Sequence, residues 1–170
     1  MKSIDLKTLQ WRGPLTAFGV AVALIIFLID QAFKNWLLYI YQLGARGRVE
    51  ITPFFDLVLT WNKGISYGLF AQSALAGQYA LAAFKILVSI GLFFWLARIR
   101  DSVLALSIGL IIGGALGNAL DRVVHQGVAD FFSLHFRDFY WYIFNIADIA
   151  IVGGVALLLF DSFFLSGKRK

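Results

Sequence analysis

The stretch SVLALSIGLIIGGALGNALDR, Ser102–Arg122, decides how this chain folds. From Ser102 to Leu120 it carries no charged side chain, and only its far end gathers Asn118, Asp121 and Arg122. A helix of about 20 apolar residues is roughly 30 Å long, the thickness of a bilayer's hydrocarbon. The segment therefore reads as a membrane span with a polar tip.

Three more runs of the same kind flank it: about 15–39, about 74–97 and about 141–165. The composition agrees. Of 170 residues, 60% are hydrophobic and 15% charged, and the mean hydropathy is +0.79. A soluble domain is roughly 25% charged, and one this small could not bury so much apolar surface. The expected fold class is an all-α integral membrane protein, a single domain over residues 1–170. Four transmembrane helices carry a small extracytoplasmic β-sheet and a re-entrant-like outer loop. The first run continues through Asp30 into Trp36-Leu37-Leu38 with no small-x-small site after it. That makes it a retained helix rather than a cleaved signal peptide.

Orientation follows from Lys and Arg, which concentrate in short loops on the cytoplasmic side. Lys2, Lys7, Arg12, Arg98, Arg100, Lys168, Arg169 and Lys170 fall on one side; Arg46, Arg48, Lys63 and Arg137 fall on the other. Both termini are expected in the cytoplasm, with residues 40–73 and 123–140 outside. The net charge of +5 is thereby a topology signal, and no nucleic-acid partner is expected. Val49–Trp61 is rich in β-formers and contains Pro53, the pattern of a small bent sheet.

Ionisable groups within spans are costly and usually functional. With alternating directions, Asp30 and Lys34 of the first span, Asn118, Asp121 and Arg122 of the third, and Asn145 and Asp148 of the fourth share one slab near the outer surface. Asp130 in the adjoining loop can reach it. Asp30 and Lys34 are spaced i,i+4, acid first, as a structural ion pair. Gly113, Gly114 and Gly117 let the third helix approach the fourth closely. Lys85 lies mid-span in the second helix and receives no catalytic role; His125 and His135 are read as loop residues.

The chain has no Cys, one Glu and two His, which excludes thiol chemistry and a His-Glu-x-x-His zinc site. No metal or cofactor is needed by what remains, which is carboxylates with amides and an Arg. Two aspartates in a partly dry site share a proton, so one acts as base and the other as acid. That is the apparatus of an aspartyl peptidase. A small proton- or ion-coupled carrier using the same carboxylates is the alternative. It would need polar groups along the whole path, and the cytoplasmic halves of the first, third and fourth helices are almost purely apolar.

Five segments, in order, carry a family resemblance: Asp30-Gln31-Ala32-Phe33-Lys34, Asn62-Lys63-Gly64-Ile65-Ser66-Tyr67-Gly68, Gly113 to Arg122, Gly127-Val128-Ala129-Asp130-Phe131 and Phe144-Asn145-Ile146-Ala147-Asp148. With them the chain resembles the prolipoprotein signal peptidases, or signal peptidase II, of bacterial inner membranes. The Gly-Asn-x-x-Asp-Arg and Phe-Asn-x-Ala-Asp segments are the specific ones. The resemblance implies a catalytic pair, Asp130 and Asp148, with supporting or substrate-binding roles for Asn62, Gly64, Asn118, Asp121, Arg122 and Asn145. It implies a diacylglyceryl-modified prolipoprotein as substrate, cut before the lipidated Cys, and globomycin-type inhibitors. Membrane lipids are the other expected partners, and a monomer is expected.

Overall fold

The computed structural model describes residues 12–64, 74–137 and 139–165. The basic residues Lys2, Lys7, Lys168, Arg169 and Lys170, and the Ile65-Ser66-Tyr67-Gly68 part of the second motif, lie outside the described residues. Helix α1 (Thr16–Asn35) runs on through a π-helical turn to Ile40. The one-turn helix α2 (Leu43–Arg46) leads to strands β1 (Val49–Thr52) and β2 (Phe55–Asn62). Helices α3 (Leu75–Leu96) and α4 (Ser102–His125) follow, then β3 (Val128–Phe136), β4 (Phe139–Tyr140) and α5 (Ile146–Phe160), which ends in a π-helical turn at Leu165.

Four helical segments are long and apolar enough to cross a bilayer: Thr16–Ile40, Leu75–Leu96, Ser102–His125 and Ile146–Phe164. Their outward faces are Leu, Ile, Val and Phe, as lipid contact requires. Helix α4 is the central one, with 61% of its apolar window buried against 22% or less for each of the others. Its glycines explain how it packs. A Cβ on Gly113 would stand 2.5 Å from the Ala23 carbonyl oxygen of α1, and a Cβ on Gly114 would collide with the Ala147 carbonyl oxygen of α5. Consecutive glycines thus seat α4 against α1 on one side and α5 on the other. The sequence pattern had pointed them at the fourth helix alone.

Caps fix the ends. Asp101 accepts hydrogen bonds from Val103 N (2.9 Å) and Leu104 N (3.1 Å) at the start of α4. The same helix stops where Gln126 turns left-handed, with φ 59°. It therefore extends past Arg122 and includes His125. The fourth span starts later than the hydrophobic run implied, at Ile146 rather than Trp141. Asn145 caps it: its Oδ1 accepts from Asp148 N (2.9 Å), while Asp148 Oδ2 accepts from Asn145 N (3.3 Å). This reciprocal capping box initiates a helix. The preceding 141–144 segment stays extended, and Phe144 is bridged to Phe132.

The sheet has order β1-β2-β3-β4, all antiparallel. Pro53 lies in the turn between β1 and β2, at the bend expected for it. The segment read as a re-entrant-like loop takes the form of β3. Residues 128–131 of that strand are buried against the helices, and its far end is solvent-facing. His135 is thus a strand residue. Asp56, buried on β2, is faced by Arg48 and by His135, whose Nε2 lies 3.3 Å away. Burial alone would raise the Asp56 carboxyl; these neighbours outweigh it and hold it below its ordinary range.

Candidate active site

Two carboxylates meet where the sheet rests on the helices. Asp130 projects from β3, paired across the ladder with Thr60 of β2. Asp148 projects from the first turn of α5, where the helix dipole and free N–H groups favour a negative side chain. It is half-buried rather than stranded in hydrocarbon. Its partners are amides: Asn118 Nδ2 donates to Asp148 Oδ1 (2.8 Å), and the Asn145 backbone N–H donates to Oδ2. Among the described residues no ion pair joins it to Arg122 or Lys34.

Asn145 stands between the two acids. Its Nδ2 donates to Asp130 Oδ1 (2.6 Å), to Asn118 Oδ1 (3.1 Å) and to the Ala129 carbonyl oxygen (3.4 Å). One residue therefore caps the helix that carries Asp148 and binds the side chain of Asp130. The second Asp130 oxygen accepts from Asn62 Nδ2 (3.0 Å). Burial first, and the nearby Asp148 second, push the Asp130 carboxyl up to about 7.

Behind this pair lies a second polar layer. Lys34 Nζ is 2.8 Å from Asp30 Oδ2 and 2.9 Å from Asp121 Oδ2, with all three residues buried. Asp30 Oδ1 accepts from Ala147 N (3.0 Å), and Asp121 Oδ2 accepts from Ala129 N (3.1 Å). Ala147 precedes Asp148 and Ala129 precedes Asp130. Each rear carboxylate thus holds the backbone immediately before one front carboxylate. Lys34 ties the two together and reaches Asn118 Oδ1 (3.2 Å). The Asp30–Lys34 pair expected from spacing exists, but as part of this larger network. Asp121 belongs to the rear layer and not beside the front pair.

Arg122 bonds carbonyls instead of carboxylates. Its Nη1 donates to Asn118 O (3.2 Å) and its Nη2 to Gly64 O (2.5 Å). Gly64 N in turn donates to Asn62 Oδ1 (3.0 Å). Arg122, Gly64 and Asn62 form a chain that ends on Asp130. Gln78 of α3 pins the same strap, donating through Nε2 to Lys63 O (2.7 Å).

Three polar residues without a functional role in the sequence analysis stand at the site. Gln31 donates to Asp121 Oδ1 (3.0 Å) and Gly117 O (3.2 Å), inside the first motif but given no role. Gln78 and Lys85 are polar residues spaced i,i+7 on one face of α3, a spacing that could have flagged them. Lys85 lines the cavity at Asp148. His125 ends α4 with its ring centroid 5.2 Å from that of Trp61. Among the described residues no cluster of three or more His, Asp or Glu is placed to hold a metal.

Asp148 and Tyr142 border two spaces at once. One is an apolar groove of about 630 Å³ between α5 and an aromatic wall that includes Phe54, Phe136, Phe139, Trp141 and Phe144. The other is a small cavity of about 50 Å³, bordered also by Asn62, Gly64, Lys85, Asn118, Arg122 and Val128. The groove is large enough for an apolar chain, and it ends at a carboxylate.

The sequence profile of Signal peptidase (SPase) II, Peptidase_A8, matches residues 22–164. Over 148 residues, 85% of this chain and 90% of the relative, the sequence is 47% identical to a lipoprotein signal peptidase of Rhodopseudomonas palustris. It is 46% identical over 156 residues to the lipoprotein signal peptidase of Nitrobacter hamburgensis, covering 89% of this chain and 95% of that one. A bacterial membrane enzyme solved by the in meso method at 2.3 Å superposes with a TM-score of 0.72 over 91% of this chain and 92% of its own. At 23% identity that likeness speaks to the fold. A second bacterial membrane enzyme, solved at 1.9 Å, gives a TM-score of 0.69 at 25% identity over 88% of this chain and 95% of its own. On sequence, with a matching fold, the chain belongs to the signal peptidase II family.

Proposed function

We propose that this protein is an aspartyl endopeptidase that removes signal peptides from diacylglyceryl-modified prolipoproteins, with Asp130 and Asp148 as its catalytic pair. The observation that carries the reading is Asn145, hydrogen-bonded to both carboxylates at the end of an apolar groove. Below about pH 7 Asp130 holds the proton, and Asp148 serves as the base. Asp148 takes a proton from water, whose oxygen adds to the scissile carbonyl carbon. Asp130 gives its proton to the carbonyl oxygen. Collapse of the tetrahedral intermediate breaks the C–N bond as Asp148 passes its proton to the nitrogen and Asp130 takes one back from a hydroxyl of the intermediate, so the α-amine of the lipidated Cys leaves and the pair is restored. Acid–base assistance of this kind contributes about 10²–10⁴-fold.

Asn62, Asn118 and Asn145 orient the acids, and Arg122 and Gly64 hold Asn62 in place. The Asp30–Lys34–Asp121 layer positions the backbone at Ala147 and Ala129. The apolar groove receives the substrate's apolar chain from the bilayer side, and a globomycin-type cyclic peptide competes for it. Lys2, Lys7, Arg12, Arg98, Arg100, Lys168, Arg169 and Lys170 outnumber Arg46, Arg48, Lys63 and Arg137 by eight to four, which supports cytoplasmic termini and a site at the outer face of a bacterial inner membrane. The carrier alternative gains nothing from family membership.

The test is incubation of purified protein with a diacylglyceryl-modified precursor and with its unmodified form. Cleavage before the modified Cys alone is expected, and Asp130→Asn and Asp148→Asn should each lose at least about 10²-fold in rate. Cleavage of neither precursor, or a near-normal rate in either variant, overturns the reading.

A further inference from the structure

Lys85 sits halfway along α3, ten residues from Leu75 and eleven from Leu96. At about 1.5 Å per residue it is roughly 15 Å from either helix end. A lysine side chain cannot snorkel that far, so headgroup anchoring does not account for it. Among the described residues its ammonium makes no hydrogen bond and no ion pair within 4 Å. It borders the small cavity together with Arg122 and Asp148.

Arg122 supplies an independent observation. It is 2% exposed, and its two terminal nitrogens are engaged by the Asn118 and Gly64 carbonyls. Its Nε is buried without a partner. An unsatisfied buried N–H on a cation is costly and rare. Two cationic donors with spare capacity thus border a cavity of about 50 Å³, the space of one or two waters at roughly 30 Å³ each. A carboxylate group is a guest of this order.

We propose that this cavity is a carboxylate subsite, in which Lys85 and the free Nε–H of Arg122 hold the C-terminal carboxylate that hydrolysis leaves on the released signal peptide. The inference rests on the peptidase reading above and adds a product site to it. The atoms require such a group. An amide R–CO–NH–R′ plus water gives R–COO⁻ and R′–NH₃⁺, with both hydrogens of water retained on the nitrogen. The intact substrate has a neutral carbonyl at this place, and the product has an anion. Cleavage therefore creates the ligand that the two cations prefer, and the signal peptide is held after the lipidated amine has left.

The experiment uses the full chain in detergent micelles and a fluorescent signal peptide that ends at the residue before the lipidated Cys. The peptide is made as the free acid and as the carboxamide, and binding is read by anisotropy, which needs no turnover. In the wild type the acid should bind about tenfold tighter than the amide or better, the worth of a hydrogen bond to a charged partner. Lys85→Met should reduce that ratio towards one, and Lys85→Arg should keep most of it. Equal binding of acid and amide to the wild type overturns the proposal, as does a Lys85→Met protein that keeps the full ratio. Cleavage of the lipid-modified precursor is measured in parallel. Cleavage with no acid preference removes only the subsite, whereas absence of cleavage removes the peptidase reading itself.

Discussion

Replacing Asn145 by Ser separates the two tasks that this residue performs. Asn145→Ala removes the cap of α5, worth about 1 kcal/mol. It also strips a donor from Asp130 Oδ1 and Asn118 Oδ1 in a buried site, worth about 1–3 kcal/mol more, so the fold should lose about 2–4 kcal/mol. Ser restores a good N-cap but is too short to reach Asp130, which Asn145 now contacts at 2.6 Å. Asn145→Ser should therefore recover roughly the 1 kcal/mol of the cap and none of the activity. The Asn145 donor favours the ionised form of Asp130, so losing it moves that carboxyl further above about 7. With Asp130 as the acid, the alkaline limb of kcat/KM shifts to higher pH. The maximum drops by about 10²-fold, the usual cost of losing alignment by an ångström. Thermal unfolding in detergent and a pH–rate profile with the lipid-modified precursor read both effects. A Ser variant with wild-type maximum and an unmoved alkaline limb would refute the role given to Asn145.

The other expectations concern the groups around it. Lys34→Met leaves Asp30 and Asp121 buried without their shared cation, a change worth about 3–5 kcal/mol of stability, and should be seen as a lower unfolding temperature; an unchanged one would mean the rear layer is not an ion pair network. Arg122→Lys cannot bond Asn118 O and Gly64 O together through a planar fork, so it should impair cleavage by about tenfold or more, as a hydrogen bond to a charged donor is worth at least that; full activity would reduce Arg122 to a membrane anchor. Asp130 carries its proton to about pH 7 in the native state against 3.8 ordinarily. The native form thus binds more protons across that window, and stability falls as pH rises through it, by on the order of 4 kcal/mol. Asp130→Asn removes this dependence, so its unfolding temperature should gain on the wild type between pH 5 and pH 8; a constant gap would argue against a raised Asp130.

Much of this arrangement is written in local pattern. The Ser102–Arg122 run declares a span because length and apolarity are local properties, and α4 is indeed the central helix. The common depth of Asp30, Asn118, Asp121 and Asp148 follows from alternating helix directions. The start of α5 was legible too: Asn145 and Asp148 have the spacing of a capping box, a stronger signal than the hydrophobic run that begins at Trp141. Other features depend on distances that no spacing contains. Arg122 turns to Gly64, 58 positions away, because that carbonyl lies within reach once β2 is paired to β3. A guanidinium near several acids invites an ion pair on paper, yet the acids here are satisfied by amides and by Lys34. The buried placement of residues 128–131 rests on sheet order, which alternation in one strand cannot reveal.

The two layers of acids answer a problem of electrostatics. Four aspartates lie within one small region, and like charges at short range in a dry setting cannot all be ionised. The protein separates them by partner. The rear pair is given a full cation in Lys34, with one backbone N–H on Asp30 Oδ1 and another on Asp121 Oδ2, the oxygen that also meets Lys34. The front pair is given only amides, from Asn62, Asn118 and Asn145. An amide fixes a carboxylate in direction without supplying a net charge to neutralise it, so the front pair keeps a proton to exchange while the rear pair keeps its geometry. Asn118 joins the layers, accepting from Lys34 and Asn145 on one atom and donating to Asp148 with the other. A second lysine in place of any of those three asparagines would pair with a front acid, hold it ionised and remove the proton that the proposed reaction needs. The division between charged scaffold and neutral orienters is thus what allows a carboxylate pair, embedded at the edge of a bilayer, to be both rigid and titratable.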